Sequence, residues 1–118
     1  MKFHPLPKSH ASLITLPNEM VMAQTPTHRA ALLKHMESGA TSLVLDLTDV
    51  RYMDSSGLSV LVSVYKRSRE LCGEVVLVSP SDGVRALIEL TRLHQIFDIY
   101  EDRQAAIRYI TARENPDA

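Results

Sequence analysis

The chain has no tryptophan, four tyrosines and two phenylalanines. So few rings cannot furnish a platform on which nucleic-acid bases stack. Charge of one sign is lacking as well: 13 basic against 14 acidic side chains leave a formal net charge of −1. That balance excludes the overall field that draws proteins to nucleic acid or anionic lipid. A lone cysteine, Cys72, excludes an internal disulfide and is compatible with a reducing compartment. No apolar run approaches the roughly 18 residues of a membrane span. The stretch Met1–His10 holds two prolines and no apolar core, so it is not a signal peptide. These absences predict a soluble cytoplasmic protein with neither nucleic acid nor membrane as partner.

What is present is a globular composition, 45% apolar and 23% charged over 118 residues. That is one domain of ordinary size, able to bury roughly two-thirds of its unfolded surface without a disulfide or metal. Residues 1–10 read as a loose N-terminal arm, 11–113 as the domain and 114–118 as a polar tail. Ala11 to Leu16 and Met20 to Ala23 are short strand candidates joined by a Pro17-Asn18-Glu19 turn, and are expected to form a hairpin or edge pair. Thr25-Pro26 reads as an N-cap with proline in the first turn, and Gly39 sits where a helix end accommodates positive φ. Leu43-Val44-Leu45-Asp46-Leu47 and Val75-Val76-Leu77-Val78 are nearly continuous apolar runs, the pattern of strands covered on both faces. Helices are expected from Gly57 to about Cys72, from Ser81-Asp82 through Thr91, and from Glu101-Asp102 onward, with a last strand over Ile96 to Tyr100. The order β-β-α-β-α-β-α-β-α defines an α/β fold with a mixed sheet, about four helices and mostly parallel strands.

The most informative stretch is Arg51-Tyr52-Met53-Asp54-Ser55-Ser56-Gly57-Leu58. There a strand ends and a helix begins, at the carboxyl edge of a parallel sheet where ligands and partners usually meet such folds. Two hydroxyls fall where the helix exposes unpaired N–H groups, so a serine can cap the helix or carry a phosphate. On a helical wheel Leu58, Val60, Leu61, Val62, Val64, Tyr65 and Leu71 cover about 200°, against roughly 100° for a simple amphipathic stripe. Either the helix is central and packed on most sides, or Val60 and Val64 form a flank exposed beside Ser55 and Ser56 and available for docking.

Other chemistries lack their parts. A nucleophile elbow needs a glycine two residues before the serine, and none stands there; no His–acid pair completes a triad. The paired acids of a receiver domain are missing after the first strand, and Asp46 reads as a structural acid inside a strand. His4, His10, His28, His35 and His94 show no metal-ligand spacing. Cys72, at the end of an apolar helix, reads as a small buried residue. Lys66-Arg67-Ser68-Arg69 reads as a solvated helix face or a contact for an acidic partner. There is no glycine-rich phosphate loop. The expectation is a protein that is not an enzyme and holds no cofactor or metal.

The segments Leu43–Leu47, Met53-Asp54-Ser55-Ser56-Gly57-Leu58, Gly73–Val78 and Leu93–Tyr100, in this order, resemble the STAS domain, and more narrowly the bacterial anti-sigma factor antagonists. The resemblance runs over about residues 11–113. It implies a partner switch. The unphosphorylated antagonist binds an anti-sigma factor that is often also a serine kinase with a histidine-kinase-like ATP fold, and so frees the sigma factor. Phosphorylation of a serine in the turn breaks the complex, and a PP2C-type phosphatase restores it. The resemblance places the phosphoacceptor at Ser55, with Ser56 as runner-up because both fit a helix start. Together with the helical flank read above, the expected partner contacts are Asp54, Ser55, Ser56, Gly57, Leu58, Val60, Val64 and Met22. Gly57 would leave room for a partner backbone or permit an unusual turn conformation. Met22 stands where the family usually carries an interface acid, a departure that bears on partner class. Two other functions fit the same domain: a regulatory or scaffold subunit that never switches, as in a lipid-transport ATPase, and a sensor whose Asp54–Gly57 turn binds an anion or nucleotide.

Overall fold

The two apolar runs become the centre of the sheet. In the computed structural model, which describes residues 1–114, β4 (Ser42–Asp46) and β6 (Val75–Val78) are buried at every position. Parallel pairing sets Leu43 against Val75 and Leu45 against Leu77. β2 (Ala11–Thr15) pairs parallel with β4 on one side, and β7 (Asp98–Tyr100) pairs parallel with β6 on the other. With β1 (Lys2–Pro5) on the outer edge, the five-stranded order is β1-β2-β4-β6-β7. A separate two-residue pair, β3 (Glu19–Met20) with β5 (Tyr52–Met53), is also parallel.

The period-two alternation of the strands divides the core between two faces. Ile14, Leu43, Leu45, Val75 and Leu77 pack with residues of α1 (Thr25–Glu37), α2 (Ser55–Glu70) and α3 (Asp82–Leu90). Ala11, Leu13, Val44, Val76 and Val78 face Ala106 and Ile110 of α4 (Arg103–Glu114). One helix therefore covers one face. It is pinned at both ends: Arg103 Nη2 lies 2.9 Å from Asp46 Oδ2, and Arg113 Nε lies 2.7 Å from Glu74. Asp46, 1% exposed, also accepts from the Thr48 amide and hydroxyl through Oδ1. Its Oδ2 has the Arg103 ion pair without an aligned hydrogen bond. It is the structural acid expected, standing at the last position of β4 rather than inside it.

Four local expectations are corrected. The arm is not loose: Lys2–Pro5 pairs antiparallel with β2, and Phe3 lies on His35 with ring centroids 4.7 Å apart. Pro5 in this strand and Pro7 just beyond it disguise the strand, but an outer edge tolerates proline. Ala11–Thr15 consequently takes its hairpin partner from upstream, while Glu19–Met20 leaves the main sheet for Tyr52–Met53. Helix α1 is capped by Gln24 without a side-chain bond; Thr25 lies inside it and donates its hydroxyl to the Met22 carbonyl. The last strand starts at Asp98, because Leu93–Gln95 coils into a 3₁₀ turn that buries Phe97. Of the expected tail 114–118, residues 115–118 lie outside the described residues.

Cys72 is exposed rather than buried. It takes φ +61° just beyond α2, while the Cys72 amide donates to Arg69 and the Gly73 amide to Ser68, closing the helix in a Schellman pattern. Glycine, the usual occupant of the left-handed position, stands one residue later. There a Cβ would come within 1.8 Å of the Thr41 carbonyl oxygen, so close approach of the backbones requires it. Two demands for glycine fall on adjacent positions and the packing demand is met. Cys72→Gly is therefore expected to stabilise the fold by about 1 kcal/mol, and Gly73→Ala to destabilise it by roughly 1–3 kcal/mol or more. Urea denaturation with unchanged slope reads both effects.

Candidate functional site

Helix α2 begins at Ser55, two residues earlier than expected, and its cap is Asp54 rather than a serine. One carboxylate oxygen of Asp54 accepts from the amides of Ser56 (2.9 Å) and Gly57 (3.1 Å). The other accepts from the Met22 amide at 3.0 Å, across 32 residues of sequence. Desolvation pushes the Asp54 carboxyl up, but the hydrogen bonds from Met22, Gly57 and Ser56 outweigh it and hold it below the usual carboxylate range. A single ionised side chain thus ties the segment after β3 to the start of α2.

Beside this clasp the backbones approach closely. A Cβ on Gly57 would meet the Met20 carbonyl oxygen at 2.3 Å and Met53 Cγ at 2.7 Å. Gly57 takes no left-handed turn conformation, contrary to one of the two roles expected of it. It makes room for the chain's own β3 and β5.

Because Asp54 caps the helix, the serines are not needed for that task. The hydroxyls of Ser55 and Ser56 take part in no hydrogen bond among the described residues, and Ser55 is exposed while Ser56 is half-buried. Accessibility therefore separates two hydroxyls that helix chemistry alone left equivalent. The remaining expected contact residues divide. Met22 is 70% exposed, and Asp54 is half-buried. Val60 and Val64 are fully buried, so the flank is core and the wide apolar arc is that of a central helix, with α1 packed alongside. Leu58 and Gly57 are buried too. All four are covered by the chain's own residues, against the expectation that Val60 and Val64 form an exposed flank.

Sequence reasoning missed Tyr52, whose side chain is 64% exposed. No sequence signal marked it, since β5 has only two residues; in the fold Met53 takes the more buried position and the preceding tyrosine is exposed. Tyr52 and Met22 bracket the Asp54 clasp, and Val21, Arg51, Tyr52, Asp54 and Gly83 line a shallow cleft of about 280 Å³ beside it. That is below the roughly 300–1,000 Å³ of most small-molecule sites. The surface suits a protein contact with two apolar side chains around a serine. The histidines do not gather: among the described residues no group of three or more His, Cys, Asp or Glu side chains could hold a metal ion. No helix there is long and apolar enough to cross a membrane.

This arrangement of mixed sheet, strand–turn–helix and capped serine pair is that of a known class of regulatory domain. The chain belongs to the STAS domain family, whose profile matches residues 7–106. It is similar to the anti-sigma-B factor antagonist of Bacillus subtilis, 30% identical over 95 residues, which are 80% of this chain and 86% of that protein. It is 39% identical to the anti-sigma-B factor antagonist of Listeria monocytogenes over 74 residues, 63% of this chain; the match spans 65% of that relative's length. In fold it resembles the anti-sigma factor antagonist SpoIIAA in its unphosphorylated form, with TM-score 0.78 and 20% identity over 99% of both chains. The same protein from Bacillus in phosphorylated form superimposes with TM-score 0.70 at 18% identity, over 92% of this chain and 99% of that one.

Two substitutions test the clasp. In Asp54→Asn the amide nitrogen must face a backbone N–H that needs an acceptor, so the thermal midpoint falls at neutral pH. A depressed carboxyl stabilises the fold above its unfolded pKa and loses that contribution as pH falls through the lowered folded value. The gap between wild type and variant therefore closes on acidification below the ordinary carboxylate range, as thermal melts across that range would show. Gly57→Ala forces β3 away from α2 and is expected to cost roughly 1–3 kcal/mol, read by chemical denaturation.

Proposed function

We propose that this protein is an anti-sigma factor antagonist that works as a partner switch, with Ser55 as its phosphoacceptor. The observation that carries the proposal is the exposed, unbonded Ser55 hydroxyl at the first position of α2, following Asp54, which binds the amide of exposed Met22 and shares a cleft with exposed Tyr52. The curated relatives of the domain are named as antagonists of this kind. In the unmodified state the turn presents a small apolar surface to an anti-sigma factor, which also serves as the serine kinase and has a histidine-kinase-like ATP fold. Sequestering that factor in the cytoplasm frees its sigma factor.

Phosphorylation adds about −1.5 to −2 charges at pH 7. The new charge sits at a helix start, where the fold tolerates it, but also next to the ionised Asp54 and within the apolar contact. There it must be desolvated for the partner to stay, and it repels acidic groups of that partner. Binding is lost while the domain remains folded. A PP2C-type phosphatase would reset the switch. Gly57, Leu58, Val60 and Val64 support the surface from beneath, and the contact set centres on Met22, Tyr52, Asp54, Ser55 and Ser56.

Two outcomes are expected with an anti-sigma factor from the same cell, measured by calorimetry. Ser55→Asp weakens binding by about tenfold or more while Ser55→Ala binds like the unmodified protein. Tyr52→Ala weakens binding without lowering the melting temperature. Peptide mapping of protein isolated from its own cells places phosphate on Ser55; phosphate found only elsewhere, or Ser55→Asp binding as well as wild type, overturns the assignment.

A further inference from the structure

The helix start tolerates a phosphate on Ser55 but offers it few free donors. Asp54 already occupies the amides of Ser56 and Gly57, and the Leu58 amide bonds the Asp54 carbonyl. The Asp54 carboxylate itself adds repulsion. A cation from another element would stabilise the modified state further.

Arg29 can supply that charge. It projects from α1, and its Nη2 donates to Ser59 Oγ at 2.7 Å. Ser59 Oγ in turn donates to the Ser56 carbonyl at 2.6 Å, so the hydroxyl that holds Arg29 leans back onto the first turn of α2. Ser59 stands one turn after Ser55 on the same helix face, and helical side chains cover the turn N-terminal to their own Cα. Among the described residues the half-buried guanidinium has this neutral hydroxyl as its polar partner and pairs with no carboxylate. Its charge is unspent, and the hydroxyl it bonds belongs to a residue one helical turn from Ser55.

We infer that Arg29 is the resident counter-cation of phosphorylated Ser55: on modification its guanidinium leaves Ser59 and pairs with the phosphate, bridging α1 to α2. This rests on the Ser55 assignment made above. Arginine suits the task because its planar fork offers paired donors to phosphate oxygens. The bridge gives the modified state its own stabilising contact, and it removes a positive charge from the surface that the partner meets. Phosphorylation then alters two charges at the contact, adding an anion and neutralising a cation.

The test uses the full chain with phosphoserine installed at position 55 during synthesis, in wild type, Arg29→Gln and Arg29→Lys. The second pKa of the phosphate, followed by phosphorus NMR, is expected to lie about half a unit or more lower in wild type than in Arg29→Gln, with Arg29→Lys between them. The Arg29 Nε–H resonance of the wild-type protein shifts when Ser55 carries phosphate, a readout that holds even if the glutamine variant folds poorly. Equal phosphate pKa values together with an unmoved Arg29 resonance overturn the inference. Since the phosphate is installed rather than added by a kinase, that failure is separate from failure of the Ser55 assignment, which mapping of the cellular protein decides.

Discussion

The Asp54 carboxylate, accepting three backbone N–H groups from two distant segments, is the interaction on which the rest of the site depends. An N-terminal helix turn needs acceptors for its orphan donors. Had a serine supplied them, its hydroxyl would be committed to the backbone. With aspartate in that role, Ser55 stands at the first helical position with its oxygen toward solvent. The same carboxylate draws the segment carrying Met22 onto the turn, so the exposed methionine and the serine become parts of one surface. Gly57 permits that closure by letting the Met20 carbonyl approach α2 where a Cβ would collide.

The small size of the exposed apolar surface at this turn follows from how thoroughly α2 is buried. Its apolar arc is consumed by the sheet and by α1, leaving Val60 and Val64 without solvent exposure. A contact built around two apolar side chains is sensitive to a single added charge in a way that a broad hydrophobic face would not be. Rigidity matters equally: the first turn of α2 is held by Asp54, so a modification there changes the surface rather than melting the helix.

Much of this fold was legible in the chain. The runs Leu43–Leu47 and Val75–Val78 marked doubly covered strands, because unbroken apolar stretches of that length bounded by turn residues have few other uses. The alternation of strand and helix after residue 40 then dictated parallel pairing. The Asp54–Leu58 turn stood out from its position between strand and helix. Less legible were features that depend on two constraints meeting. Lys2–Pro5 looked loose because prolines usually break sheets, yet an edge spares them the ladder. Cys72 looked buried because an apolar helix ends there, yet the neighbouring glycine was required against Thr41 and left the cysteine to turn the chain. Tyr52 was overlooked because a two-residue strand has no readable period of its own.

Sequence alone determined the sheet's centre, the order of its elements and the presence of two hydroxyls at a helix start, since these follow from local pattern and helix chemistry. Only the tertiary structure decided which atoms cap that helix, which serine is exposed, that Val60 and Val64 are core, and that Arg29 of α1 bonds Ser59 of α2. Each of those depends on side chains from segments far apart in the chain competing for the same donors and the same space, and no local pattern records the outcome.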